Sequence, residues 1–243
     1  MIRVLPAIDI IEGQCVRLTK GDYDTKKVYG DDPLEMAKQF EGCGVEQIHV
    51  VDLDGAKQKQ PQNLNQIERI KTHTQLKVEF GGGIKTEEAL ADCNNAGVDQ
   101  FIIGSLAVKD KDLVSSWLSK FGADRFVLGA DVQDGFIAIN GWQEKSDMSL
   151  EAFISDYHEL GAHYFLCTDI NKDGMLQGSS KDLYENLIHK FPNIKLIASG
   201  GVTSLDEVKE LDEMGCDGAI IGKAIYEGRI KLSELKDFVG RSL

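Results

Sequence analysis

Four aspartates close four short apolar runs: Asp9 ends VLPAID, Asp52 ends IHVVD, Asp131 ends FVLGAD and Asp169 ends FLCTD. A carboxyl in such a place has two uses. It can cap the following loop by accepting hydrogen bonds from backbone amides, or it can face a ligand and move a proton. Two carboxyls facing each other across a pocket divide donation and acceptance when their surroundings push their pKa values apart. Four other runs end in glycine-rich turns: Gly81-Gly82-Gly83, Gly104-Ser105, Gly200-Gly201 and Gly222-Lys223. Glycine lets backbone amides approach a ligand, and a helix starting after the turn favours an anion.

Eight runs must position these residues: 3–9, 47–52, 76–80, 100–104, 125–131, 163–169, 195–200 and 218–222. Helical patterns lie between them, among them 33–44, 86–97, 149–161 and 204–215. The last three open on Thr86, Ser149 and Ser204 followed by acids, and close on glycine, which is helix-capping chemistry. Near-continuous apolar strands alternating with helices predict a parallel sheet covered on both faces. Eight such units in a chain of this length predict a single α/β domain, a (β/α)8 TIM barrel over residues 1–243.

The chain also repeats. GVDQFIIGS (97–105) aligns with GCDGAIIGK (215–223), and GGGI (81–84) with SGGV (199–202), both at an offset of 118. GVEQIHVVDLD (44–54) aligns with GAHYFLCTDIN (161–171), and PAID (6–9) with LGAD (128–131). The barrel is therefore expected to consist of two half-barrels, about 1–122 and 123–243. Chemistry in such barrels sits at the carboxyl ends of the strands, so Asp9 and Asp131 should oppose each other across the mouth. Phosphate often binds beside the loops after the seventh and eighth strands, and the repeat implies a second such site after the third and fourth. The expected ligand carries a phosphate at each end, with its reacting atoms between the two aspartates.

Composition narrows the class. The 243 residues hold 27 basic and 40 acidic side chains, a net charge of −13, which argues against a nucleic-acid partner. No apolar stretch is long enough for a membrane span, and the amino terminus lacks a signal-peptide layout. The five cysteines are scattered without a C-x-x-C pair, which fits a reduced, cytoplasmic protein with no disulfide framework or metal site. The five histidines offer no metal cluster, and His49 and His163, at the starts of their strands, fall at the wrong end of the barrel for catalysis. DINKDGMLQGSS (169–180) matches a calcium loop until Ser180 stands where glutamate is required. A strand rather than a helix precedes it, so the calcium-binding alternative is weak.

VLPAIDIIEGQCVRLTKGDY (4–23), HVVDLDGA (49–56), FGGGIKT (80–86), TDINKDGMLQG (168–178) and ASGGV (198–202) together resemble the histidine-biosynthesis isomerase family. The resemblance runs from Met1 to about Gly228; Ala7 and Arg17 favour the isomerase over the sister cyclase, which would couple similar aspartates to lyase chemistry. It implies an Amadori rearrangement of an aminoaldose to an aminoketose, with Asp9 as general base and Asp131 as general acid and no metal or other cofactor. It further implies that Thr168 orients the substrate, that Trp142 stacks on its imidazole carboxamide and that Arg17 closes over it. Asp169 and Gly178 join the expected binding set of Gly82, Gly83, Gly104, Ser105, Gly200, Gly201, Gly222 and Lys223. A monomer acting on a doubly phosphorylated small molecule is expected. Bifunctional relatives tend to carry arginine in the fifth loop, so Trp142 points to the single-substrate form. Lys85 stands where relatives often have arginine, which would turn a bidentate phosphate contact into a point-charge contact. Ser179-Ser180 stand where relatives often have proline and asparagine.

Overall fold

Each apolar run becomes a parallel strand, and the eight close on themselves in the computed structural model, which describes residues 1–19 and 21–240. In chain order the strands are β1 (Arg3–Ile11), β2 (Gln14–Thr19), β3 (Asp22–Gly30), β4 (Gln47–Asp52), β5 (Lys77–Gly81) and β6 (Gln100–Ile103). There follow β7 (Phe126–Gln133), β8 (Phe136–Ile139), β9 (Glu144–Ser149), β10 (Tyr164–Asp169), β11 (Lys195–Ser199) and β12 (Gly218–Ile221). The closed ring is β1, β4, β5, β6, β7, β10, β11 and β12, every neighbouring pair parallel, with β12 returning to β1. This is a (β/α)8 barrel.

Helices cover the outside because their sequences start and stop where the patterns require. Thr86, Ser149 and Ser204 each accept a hydrogen bond from the amide of the third residue on, capping Glu87–Asn95, Leu150–Glu159 and Leu205–Met214. Gly97, Gly161 and Gly215 then take positive φ and end those helices. The main core lies between helices and sheet, around Phe40, Ile67, Trp117, Phe153 and Tyr184. A second cluster, Leu5, Ala7, Val127, Leu166, Ile197 and Ile220, fills the inside of the barrel. All five cysteines are buried free thiols. No helix among the described residues is long and apolar enough to cross a membrane.

Four strands lie off the eight predicted runs. β2 and β3 form an antiparallel hairpin on β1, and β8 and β9 form another on β7. They occupy the first and fifth loops, matching positions in the two repeats. β3 (DYDTKKVYG) has no fully buried residue, so nothing apolar marked it in the sequence. Both hairpins overhang the carboxyl ends of the barrel strands.

Candidate active site

Strand register decides which of the four aspartates faces the mouth. Asp9 pairs across the sheet with Val51, and Asp131 with Thr168. Asp52 and Asp169 therefore lie one residue further along, and alternation turns them to the opposite face. Asp52 is fully buried, and its carboxylate accepts from the amides of Gly55 (2.8 Å), Gln62 (2.6 Å) and Asn63 (2.9 Å) and from Asn63 Nδ2 (2.7 Å). Asp169 accepts from the Asn171 amide (3.0 Å) and the Ser180 hydroxyl. Both are loop caps. Asp169 and Gly178, both in the expected binding set, line a separate groove beside the mouth. Gly178 serves the scaffold, its amide donating to the Gly201 carbonyl at 3.1 Å.

Asp9 and Asp131 line one cavity with Arg17, Trp142 and Thr168. Each carboxyl is held by a side chain from the hairpin on its own strand. Arg17 Nη1 lies 2.9 Å from Asp9 Oδ2, in a pair only 11% and 13% exposed. The Trp142 indole donates to Asp131 Oδ2 at 2.8 Å, and Thr168 also hydrogen-bonds Asp131. Trp142 takes φ +68°, a left-handed conformation costing an L residue about 1–2 kcal/mol. Its ring passes so close to Gly21 that a Cβ there would come within 2.8 Å of it. Burial raises the pKa of Asp9, against the pull of Arg17 and then His49; Asp173 adds to the rise. Burial likewise raises that of Asp131, opposed by the hydrogen bonds of Trp142 and Thr168. The difference between them is the partner: a full cation for Asp9, neutral donors closest to Asp131.

The glycine turns flank this pair. Gly82 (φ +112°) and Gly200 (φ +90°) occupy matching positions, and a Cβ on either would run into the carbonyl oxygen of Asp52 or Asp169 respectively. The capped aspartate strands thus support the turns. Gly82, Gly83, Gly104, Ser105 and Lys85 line one side of the cavity, and Gly200, Gly201, Gly222 and Lys223 the other. Burial, then Lys109 and Lys59, lower the pKa of Lys85, the lysine lining the cavity beside the first set. The second set has Arg17, whose guanidinium lies over Gly222; a Cβ there would fall 2.6 Å from Cζ. Gly104 and Gly222 each precede a short helix with no side-chain cap, leaving the first amides without that partner. Ser105 Oγ accepts from the Asn140 amide (3.0 Å), and Lys223 Nζ donates to the Gly174 carbonyl (2.8 Å).

Asp173 and His49 are two titratable cavity residues among those that the expected set did not include. Asp173, in the loop after β10, lies near enough to raise the pKa of both aspartates. His49 corrects a sequence expectation: it is the third residue of β4, beside Ala7, and lines the cavity rather than the far end of the barrel. Among the described residues no group of three or more His, Cys, Asp and Glu is placed to hold a metal ion.

Comparison with known proteins bears on what these groups do. Residues 3–231 match the family described as histidine biosynthesis protein. The 1-(5-phosphoribosyl)-5-((5-phosphoribosylamino)methylideneamino)imidazole-4-carboxamide isomerase of Flavobacterium johnsoniae is 51% identical over 238 residues, 98% of this chain and 99% of that protein. Proteins of the same name from Cytophaga hutchinsonii and Parabacteroides distasonis are each 49% identical over 238 residues, again 98% of this chain and 99% and 100% of their own.

Proposed function

The chain belongs to the histidine biosynthesis protein family, and from that premise we propose that Asp9 and Asp131 are the base and the acid of its reaction. The activity is that of an isomerase of histidine biosynthesis, turning an aminoaldose into an aminoketose. The unequal partners of the two carboxyls carry the assignment. A guanidinium 2.9 Å from Asp9 favours its ionised form, as a base requires. Burial raises the pKa of Asp131 against the hydrogen bonds of Trp142 and Thr168, and no cation is paired with it, which suits an acid. Asp131 protonates the ribose ring oxygen, opening the ring to a protonated Schiff base. Asp9 removes the C2′ proton, and the resulting enolamine tautomerises to the ketose.

The two glycine-turn sets suit a substrate with a phosphate at each end, one met by Lys85 and the Gly82-Gly83 turn, the other by Arg17 and the Gly200-Gly201 turn. The Trp142 ring lines the cavity with its indole nitrogen on Asp131, which suits stacking on a flat imidazole carboxamide. Every group in this scheme comes from one chain, one barrel of two half-barrels, so a monomer suffices. Five buried free thiols fit a reducing cytoplasm.

Turnover of the purified protein on the aminoaldose tests the pair. Asp9→Asn and Asp131→Asn should each lower kcat by about 10²–10⁴-fold, the range for removing a general acid or base, while far-UV circular dichroism stays unchanged. Near wild-type turnover in either variant refutes the assignment.

A further inference from the structure

Each active-site hairpin is tethered to the neighbouring half-barrel by a side chain outside the cavity. Glu227 follows the short helix Lys223–Tyr226, which starts at the Gly222 turn. Its Oε1 accepts from Lys27 Nζ at 2.7 Å and from the Tyr29 hydroxyl, both on β3. The Tyr29 ring packs on Tyr226 with centroids 5.0 Å apart, and the Tyr226 hydroxyl donates to the Ala7 carbonyl of β1 at 2.8 Å. Lys223 also faces Glu227. Across the hairpin Lys27 pairs with Arg17, whose guanidinium reaches both Asp9 and Gly222.

The repeat puts a counterpart in the other half. At the offset of 118, Glu227 corresponds to Lys109, the last residue of the short helix Ser105–Lys109. Lys109 Nζ donates to Asn140 Oδ1 at 2.6 Å, in the turn between β8 and β9. Asn140 takes φ +58° and donates to Glu144 Oε2 at 2.6 Å; two residues on stands Trp142, bonded to Asp131. Since β12 adjoins β1 and β6 adjoins β7, both tethers cross a seam between the halves. Their chemistry differs, a carboxylate holding an ammonium and a phenol on one side and an ammonium holding an amide on the other. Position alone is shared. Such exposed contacts contribute little to stability, so their recurrence at one position points to a geometric role.

We propose that Glu227 and Lys109 are positioning residues for the isomerisation: Glu227 holds the β2–β3 hairpin so that Arg17 stays on Asp9, and Lys109 holds the turn after β8 so that Trp142 stays on Asp131. The proposal rests on the base and acid assigned above. Neither residue lines the cavity, so each acts through the side chain that its hairpin carries. The two effects of removing Glu227 have opposite signs. Loss of its negative field alone favours the ionised form of Asp9, whereas loosening Arg17 removes the strongest influence that favours that form. For Asp131 the signs coincide, because losing the Lys109 charge and losing the indole donor both favour the protonated acid. Asn140→Gly separates them there, since it leaves Lys109 in place and glycine accepts the positive φ. The other charged groups facing the carboxyls, His49 and Asp173, are untouched by these substitutions.

Initial rates against pH at limiting aminoaldose read both limbs of kcat/KM. Glu227→Ala should move the acidic limb up by about half a unit to one unit, short of the shift in Arg17→Met, and leave the alkaline limb in place. Tyr29→Phe should shift it the same way by less, and Glu227→Gln, which keeps an acceptor for the Tyr29 hydroxyl, should return toward wild type. Lys109→Met and Asn140→Gly should both move the alkaline limb up and leave the acidic limb in place. Tm should fall by less than about 4 °C throughout. An acidic limb that stays or moves down in Glu227→Ala overturns the proposal. So do two limbs that move together, or a shift in Lys109→Met that Asn140→Gly lacks. Near wild-type turnover in Asp9→Asn defeats the base assignment and the proposal with it, whereas an inactive Asp9→Asn beside unmoved limbs defeats the tethers alone.

Discussion

Arg17→Met isolates what the guanidinium does for Asp9, because methionine keeps much of the apolar stem and loses the charge. The N–O distance is 2.9 Å, and both side chains are nearly buried, at 11% and 13% exposure. Unit charges about 4 Å apart at an effective dielectric near 20 interact by about 4 kcal/mol. At 1.36 kcal/mol per pH unit, that is up to about 3 units on the pKa of Asp9. Burial already raises this pKa, and Arg17 is the largest opposing influence. A base works deprotonated, so removing Arg17 should move the acidic limb of kcat/KM upward by about 2–3 units. Activity should then fall strongly near neutrality and recover on an alkaline plateau. The assay is initial rate against pH at limiting substrate, for wild type and variant. A limb that stays in place, with the same fractional loss at every pH, would show that Arg17 only binds substrate and leaves Asp9 unaffected.

Two further predictions concern stability. Asp131→Asn should raise Tm near neutral pH: the folded pKa is raised above the unfolded one, so native Asp131 weakens the fold as pH climbs through that window. Each kcal/mol relieved is worth about 2–4 °C in a protein of this size, the gain should vanish below about pH 4 where the carboxyl is protonated in both states, and scanning calorimetry across pH that finds no such divergence rules the argument out. Asp52→Ala removes the acceptor for three amides and the Asn63 side chain, and stranding buried donors at about 1–3 kcal/mol each should cost roughly 3 kcal/mol or more in urea denaturation; an unshifted midpoint would contradict its role as a cap.

The barrel was legible because each of its strands is a short apolar run, and the helices because their caps carry Thr86, Ser149 and Ser204. The hairpins were not, since β3 buries no residue fully and its pairing is set by contact with β2. Four strand-end aspartates looked alike in sequence, yet register sends Asp9 and Asp131 inward and Asp52 and Asp169 outward. A one-residue difference in where each strand ends is below what apolar runs resolve. His49 was misplaced for a related reason: in QIHVVD the third of six residues is mid-strand, not its start. The available signal was the repeat itself, which sets His49 against Leu166 and Glu79 against Ile197. A polar residue aligned with a core residue of the twin half marks a departure that packing alone does not demand.

That observation extends to the two aspartates. A scaffold of matching halves places like carboxyls at like depth, and by itself it would give them like affinities for a proton. On the proposed division into base and acid, the polarity has to come from outside the repeated strands. Here it comes from the hairpins: β2 brings Arg17 to Asp9, and the turn between β8 and β9 brings Trp142 to Asp131. The first partner is a permanent cation and the second a neutral donor, so the stabilisation each offers an anion differs by a full charge. On the proposed roles, direction in the proton transfers depends on the positions where the halves disagree. Substitutions at those positions should alter rate and pH dependence, whereas substitutions at the matching turn and cap positions, such as Asp52, should act first on stability.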